Sequence, residues 1–226
     1  SVLQYKFNSS LFAPSEILSL YEIIGAPPLT SGSSHITLNA PARIEPSITE
    51  GGEGATISTP IEDITGITCG DNDVCTVEGE LTQNVTFTAD KVWRLVGGVF
   101  VGNDVDETVL TIEPGTKIVA KSQEGGAATF LCIRRGSKIM AEGTVDAPIV
   151  FTSQAPVGER SPQDWGGIII NGRAPINVGT EAEGEGGTGL YGGTNPEDSS
   201  GVLKYVRIEF AGFPITPENE LNTIAF

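Results

Sequence analysis

Two short segments place acidic side chains on turns that begin with glycine. Residues 70–75 read GDNDVC and residues 102–107 read GNDVDE. Carboxylate and amide oxygens at such spacing are the ligands that Ca²⁺ prefers. The candidate calcium ligands are Asp71, Asp73, Asp104 and Asp106. Neither segment matches the twelve-residue EF-hand loop, and turns capped by Asp or Asn side chains explain the pattern equally well. Calcium is therefore a hypothetical cofactor, and the sequence indicates no other.

Cationic side chains form a second set that could do chemistry. A polysaccharide lyase needs a base, often Lys or Arg, near carboxylates that hold Ca²⁺. Lys117, Lys138, Arg134 and Arg135 could supply the cation, but no ordered spacing links them to the acidic residues. The chain has a single histidine, His35, which leaves little scope for a Ser–His or Cys–His nucleophilic site. The residues therefore favour a protein without catalytic activity.

A third set surrounds the acidic, glycine-rich segment at 178–201. Trp165 and Tyr191 flank the run of Glu181, Glu183 and Glu185 in this segment, and exposed aromatic rings there could stack on sugars. Asn195 and Asp198 could supply hydrogen bonds or hold Ca²⁺. We predict a ligand-binding loop from these four residues, with a position in the core or in a turn as the alternative for Trp165.

A short repeat predicts the fold that must position these side chains. The segment LTIEPGTKIVA at 110–120 aligns with LCIRRGSKIMA at 131–141, an offset of 21 residues. Repeats of this length with β-branched strands are typical of solenoids, whose stacked coils share one core. The Pro-Gly of the first copy and the Arg-Gly of the second fit a turn in which glycine takes positive φ. The sequence predicts an all-β, right-handed parallel β-helix with about 21 residues or more per coil.

The same offset predicts which side chains are neighbours on adjacent coils. The expected pairs are Ile112 with Ile133, Ile118 with Ile139, Glu113 with Arg134, and Lys117 with Lys138. The isoleucines would face the core. Cys132, Arg134 and Lys138 would face outward with their counterparts on the first copy.

The rest of the chain divides into two further segments. Residues 1–25 predict a capping helix, because Ser15 can cap it and Gly25 can end it. Residues 26–83 predict an extended acidic arm, and residues 84–226 predict the β-helix. Cys69 and Cys75, separated by five residues in a turn-rich stretch, predict a disulfide, because a closed zinc site needs four ligands. Cys132 is then unpaired.

Composition restricts the partners. The formal net charge is −16, with 13 basic and 29 acidic residues. Such a surface is a poor partner for nucleic acid, which needs clustered cations. No run of apolar residues has the length of about 18 that a membrane-spanning helix needs. The chain begins at Ser without a signal peptide, which suggests a mature or trimmed product.

Several motifs together resemble a family of bacterial secreted proteins and lipoproteins found in Gram-negative bacteria. They are the repeat above with RGSKIMAEGTVDAPIVFTS, WGGIIINGRAPIN, GLYGGTNPEDSSGVLKYVRIEFAGF and PENELNTIAF, covering about residues 75 to 226. The resemblance implies a right-handed parallel β-helix on the outside of the cell or the outer membrane, and some members carry type IX secretion tails. Most members have no assigned activity, so the resemblance implies fold and location rather than chemistry. Family members normally continue into further coils after the segment matching NELN, and the lipid-bearing cysteine that some have at the start is missing here.

Three functions are compatible with these residues. The favoured one is a non-enzymatic surface scaffold or binding protein that engages a polysaccharide or another envelope protein. The alternatives are a calcium-dependent polysaccharide lyase and a subunit of a surface filament or layer. The filament would assemble through an exposed strand edge at the C-terminal end of the β-helix, because exposed edges recruit other strands.

Overall fold

Short strands separated by turns make up almost all of the secondary structure. The computed structural model describes residues 18–20, 61, 64–70, 72–122, 127–216 and 219–226. The strands are β1 Leu18–Leu20, β2 Ile67–Cys69, β3 Val74–Leu81, β4 Val85–Phe87, β5 Val92–Val101, β6 Val109–Ile112, β7 Lys117–Ala120, β8 Phe130–Ile133, β9 Lys138–Glu142, β10 Ile149–Ser153, β11 Gly167–Ile170, β12 Ala182–Glu183, β13 Leu190–Tyr191, β14 Gly201–Lys204, β15 Val206–Ile208, β16 Phe213–Thr216, β17 Asn219–Leu221 and β18 Ile224–Ala225. A short 3-10 turn spans Glu185–Gly187.

The strands wind into a parallel β-helix with three faces, which confirms the predicted fold class. Face A contains the first halves of β3 and β5, then β7, β10 and β15. Face B contains the second halves of β3 and β5, then β8, β11 and β18. Face C contains β4, β6, β9 and β14. Every pairing within these faces is parallel, so each coil passes through A, B and C in turn.

The core is the lumen between the three faces. On face A one inward row runs through five coils and is almost completely buried: Cys75, Trp93, Ile118, Phe151 and Ile208. Each large apolar side chain buried in such a stack contributes about 1.5–3 kcal/mol. The four isoleucines of the repeat all belong to this core, as the sequence predicts.

The predicted register is wrong. Ile112 lies beside Ala141 rather than Ile133, and Ile139 lies beside Leu110 rather than Ile118. The first copy of the repeat connects face C to face A, whereas the second connects face B to face C. The same strand–turn–strand motif therefore marks two different corners of the helix, and its 21-residue offset is not one coil.

The charge pairs predicted from this register fail with it. Arg134 Nη2 lies 2.8 Å from Glu80 Oε1 instead of contacting Glu113. Lys138 Nζ lies 2.6 Å from Glu107 Oε2, and its backbone is in register with Val109 rather than with Lys117.

The turns inside the repeat form as predicted. Thr116 N donates to Glu113 O at 3.2 Å, and Ser137 N donates to Arg134 O at 3.0 Å. The glycine before each donor has positive φ, 84° and 81°. The local motif was therefore correct although the stacking deduced from it was not.

Coil length explains the error in register. Val74, Val92, Lys117, Val150 and Arg207 are aligned in one row, so successive coils contain 18, 25, 33 and 57 residues. The extra residues leave the helix as loops at its corners, where they add no strand to the three faces. A single period therefore cannot describe this chain.

The start of the helix differs from the predicted boundaries. Because β3 already pairs in parallel with β5, the coils begin at Val74 rather than at residue 84. The hairpin of β2 and β3 precedes them, and Ile64 and Ile67 cover the end of the lumen. The predicted Cys69–Cys75 disulfide joins the two strands of this hairpin.

The predicted N-terminal helix is corrected at the three residues the structure describes there. Residues 18–20 form β1, which pairs antiparallel with β15 at the edge of face A. A free strand edge offers unpaired backbone donors and acceptors, which a further strand satisfies. The rest of residues 1–25, and most of the predicted arm, lie outside the described residues. Within the described part of the chain, no helix is long and apolar enough to cross a membrane.

Candidate functional site

The predicted calcium ligands that the structure describes lie in two separate turns. Asp73 follows the β2–β3 turn and forms an ion pair with Lys91, at 3.3 Å. Asp104 and Asp106 lie in the corner loop between faces B and C, and Asp71 lies outside the described residues. The ranges that the structure describes contain no group of three or more acidic, His or Cys side chains arranged to hold a metal.

Asn103 explains the spacing that suggested a calcium loop at residues 102–107. Its Oδ1 accepts hydrogen bonds from the backbone N–H groups of Val105, at 3.0 Å, and Asp106, at 2.8 Å. This is the capped turn that the sequence offered as the alternative.

Trp165 is a core residue. Its side chain is fully buried, its Nε1 donates to Glu209 O at 2.9 Å, and its ring stacks on Phe151 with 6.3 Å between centroids. No face of the ring is left for a ligand. Trp165 therefore has the core position that the sequence offered as the alternative to ligand binding.

The other three predicted ligand-binding residues belong to the long loop between β11 and β14. Tyr191 is half-buried and lines a small cavity of about 380 Å³. Asn195 and Asp198 support the loop itself: Asn195 N donates to Arg173 O at 3.0 Å, and Arg173 N donates to Asp198 Oδ2 at 2.6 Å. Neither Asn195 nor Asp198 is among the described residues that line the cavity beside Tyr191.

Two of the predicted cationic side chains hold loops in place. Arg135 Nη1 forms a short ion pair with Glu181 Oε1 and donates to Gly192 O at 3.2 Å, which ties the long loop to the B–C corner. Arg134, already paired with Glu80, lies over the Phe100 ring at 4.4 Å from its centroid. Neither leaves its charge free for a ligand.

A larger cleft lies on the outside of the A–B corner. It has a volume of about 810 Å³ and spans three successive coils. Its polar lining includes Arg94 on β5, Lys121 after β7, Gln154 after β10, and Thr129 before β8. Sites for small ligands are usually clefts of about 300–1,000 Å³ with a few convergent polar groups. This cleft has the size and lining of a binding site.

The two cations of the cleft have no carboxylate partner among the described residues. Arg94 donates from Nε and Nη2 to Thr76 Oγ1, at 3.2 and 2.6 Å, so a neutral hydroxyl holds the guanidinium. Lys121 is exposed and takes part in none of the ion pairs found in the described ranges. The described residues that line the cleft include no Asp or Glu. Among the residues that the structure describes, the charged lining of the cleft is therefore cationic, in a chain whose net charge is −16.

Hydrogen bonds fix the wall of the cleft. Thr129 Oγ1 donates to Lys121 O at 3.0 Å and accepts from Gly97 N at 3.2 Å, which joins the middle of β5 to the residue that follows β7. Thr129 N donates to Ser122 Oγ at 2.9 Å. A site whose walls are tied in this way is preorganised for a ligand.

Sequence reasoning missed this cleft, although part of the signal is visible. Arg94 stands between the apolar Trp93 and Leu95, and strand alternation places its side chain outward. Lys121 directly follows an apolar strand. That these two meet depends on the 25-residue coil between them, which the sequence does not reveal.

Comparison with known proteins gave one match. A family model described as a pectate-lyase-like β-helix domain matches residues 79–226. The searches of curated proteins and of solved structures returned no match for the chain.

Proposed function

We propose that this chain, which belongs to the family of pectate-lyase-like β-helix domains, binds an acidic polysaccharide in the cleft at the A–B corner. The observation that carries the proposal is that Arg94 and Lys121 both line a cleft whose described lining contains no carboxylate. Guanidinium and ammonium groups form strong charge-assisted hydrogen bonds with carboxylates or sulfates. The fold of the family is compatible with such a ligand.

The cleft suits a chain-like ligand. The middle of β5 and the residues that follow β7 and β10 lie on consecutive coils, about 4.8 Å apart, and present Val96, Lys121 and Gln154 in that order. A polysaccharide lying across these coils meets an apolar, a cationic and a hydrogen-bonding side chain in turn. Arg94 lies beside this row.

The proposed location is the outer surface of a Gram-negative bacterium. The Cys69–Cys75 disulfide supports export, since disulfides form and persist in oxidising compartments. A ligand of the cell envelope or of the surroundings fits that location.

The experiment measures the affinity for polygalacturonate, alginate and hyaluronan by calorimetry. At least one should bind, and the Arg94→Gln/Lys121→Gln double variant should bind it at least about tenfold more weakly, because each charged hydrogen bond contributes about 1.5–3 kcal/mol. The matched control is Lys117→Gln/Lys204→Gln, which removes the same charge from exposed positions outside the cleft. Equal losses in both double variants would contradict the proposal.

A calcium-dependent lyase is the second candidate, and the family description is what favours it. A lyase removes the proton next to the uronate carboxyl and expels the glycosidic oxygen, leaving a carbon–carbon double bond. Its unsaturated product absorbs in the ultraviolet, so the same three polymers are incubated with the protein, with and without Ca²⁺. If the absorbance grows with time in the wild-type protein and does not grow in the Arg94→Gln variant, the protein is a lyase and the proposal of binding alone is wrong.

A further inference from the structure

An apolar groove lies next to the cleft, on the outside of face B. It has a volume of about 630 Å³. Its floor contains Phe130, which is 6% exposed, and Phe100, whose ring meets it edge-on at 5.4 Å between centroids. One wall is strand β16, with Phe213 half-buried and Pro214 and Ile215 exposed.

The groove and the cleft are continuous. Ala127 lines both, and two consecutive pairs of residues cross from one to the other: Gly97 and Thr129 line the cleft, while Gly98 and Phe130 line the groove. A ligand can therefore extend from the two cations of the cleft onto the aromatic surface of the groove and stay in contact with the protein.

Of the three aromatic rings in the groove, Phe213 is the one available to a ligand. Phe130 is buried, and Phe100 has the Arg134 guanidinium 4.4 Å from its centroid. Phe213 sits on the hairpin of β16 and β17, next to the exposed Pro214 and Ile215, and makes no ring contact with another described aromatic residue. An aromatic ring in this position offers an apolar face to a ligand in the groove.

We infer that the groove is a second subsite for the same polysaccharide, in which a sugar ring stacks its apolar face on Phe213. This inference rests on the function proposed above and adds a property to it: affinity depends on ligand length. A short oligosaccharide contacts the cations alone, whereas a longer one reaches the aromatic wall as well. Continuity with the cleft is the reason for assigning this occupant to the groove.

The test compares the octasaccharide and the disaccharide of whichever of the three polymers binds. The octasaccharide should bind at least tenfold more tightly than the disaccharide. Phe213→Ala should weaken octasaccharide binding about tenfold and leave disaccharide binding unchanged, while Phe213→Tyr should keep the wild-type affinity. Phe226→Ala, at an exposed aromatic side chain outside the groove, is the matched control. Far-ultraviolet circular dichroism checks the fold of each variant.

The outcomes separate this inference from the function on which it rests. The aromatic subsite is wrong if Arg94→Gln weakens octasaccharide binding but Phe213→Ala does not, or if the octasaccharide binds no more tightly than the disaccharide. In both cases binding in the cationic cleft is still supported. If Arg94→Gln has no effect on either ligand, the function itself is wrong and the subsite falls with it.

Discussion

At the scale of single residues, Cys132 shows how a side chain that points away from the lumen can still be fully buried. Its strand neighbours Leu131 and Ile133 face the central core, while Cys132 packs outside the sheet with Phe130, Ile169 and Leu221. The long loop covers it, and Thr188 O lies 3.3 Å from its sulfur. The sequence predicted its outward direction and its free thiol but could not predict the cover.

Burial also determines the chemistry of this thiol. Burial, aided by the charge of Asp104 and opposed by that of Arg134, raises the pKa of Cys132 to about 12. The reactive species is the thiolate, so the native thiol should be inert near neutral pH and gain reactivity only as the pH rises toward that value.

The first prediction is a thiol count. With iodoacetamide at pH 8, the native protein should take up almost no label, and the denatured, unreduced protein should take up one equivalent by mass. The single equivalent is Cys132, since Cys69 and Cys75 are bridged. Three equivalents would refute the disulfide, and rapid labelling of the native protein would refute the burial of Cys132.

At the scale of elements, the loop between β11 and β14 forms a cover over face B. Its contacts with the helix include the Arg135–Glu181 ion pair and the hydrogen bond from Asn171 Nδ2 to Thr188 O, at 2.9 Å. Beneath it lies Cys132, so the rate at which the native thiol reacts reports how often the loop opens.

The second prediction tests that cover. Arg135→Gln removes the ion pair and should speed native labelling of Cys132 about two- to fivefold, because a partly exposed pair contributes about 0.5–1 kcal/mol. Lys138→Gln is the control, since it breaks an ion pair of the same kind, with Glu107, that does not hold the loop. Equal labelling rates in the two variants would show that Arg135 does not fasten the cover.

What the sequence could predict at this scale was local. Alternation in the repeat correctly placed Ile112, Ile118, Ile133 and Ile139 in the core, and the turns between the strands formed as expected. The register between coils could not be predicted, because the strand–turn–strand motif of the repeat occurs at two different corners of the helix. The position of Trp165 was also ambiguous, since a buried ring with a bonded N–H and an exposed stacking ring have the same sequence context.

The candidate site was less accessible to sequence reasoning than the fold. Arg94 and Lys121 are 27 positions apart, and they meet only because the coil between their strands is 25 residues long. Coil length is fixed by how all the coils pack together, which is a non-local property. The turn at residues 102–107, which looked functional, is capped by Asn103 through hydrogen bonds with its own backbone.

At the scale of the whole molecule, the net charge of −16 at first sight opposes an acidic ligand. Dissolved salt weakens this repulsion, because at physiological ionic strength the interaction between charges more than about 8 Å apart is largely screened. A bound polysaccharide therefore responds mainly to the residues lining the cleft, and the charged side chains among those that the structure describes are both cations.

The measurement that most directly tests the central claim compares a polymer that binds with its carboxyl-reduced form, at about 0.15 M salt. Reduction converts each carboxylate to an alcohol and leaves the rest of the chain unchanged. If Arg94 and Lys121 recognise the acid groups, affinity should fall at least about tenfold, because the charge-assisted hydrogen bonds are lost. Equal affinity for the two forms would contradict recognition of an acidic polysaccharide by this cleft.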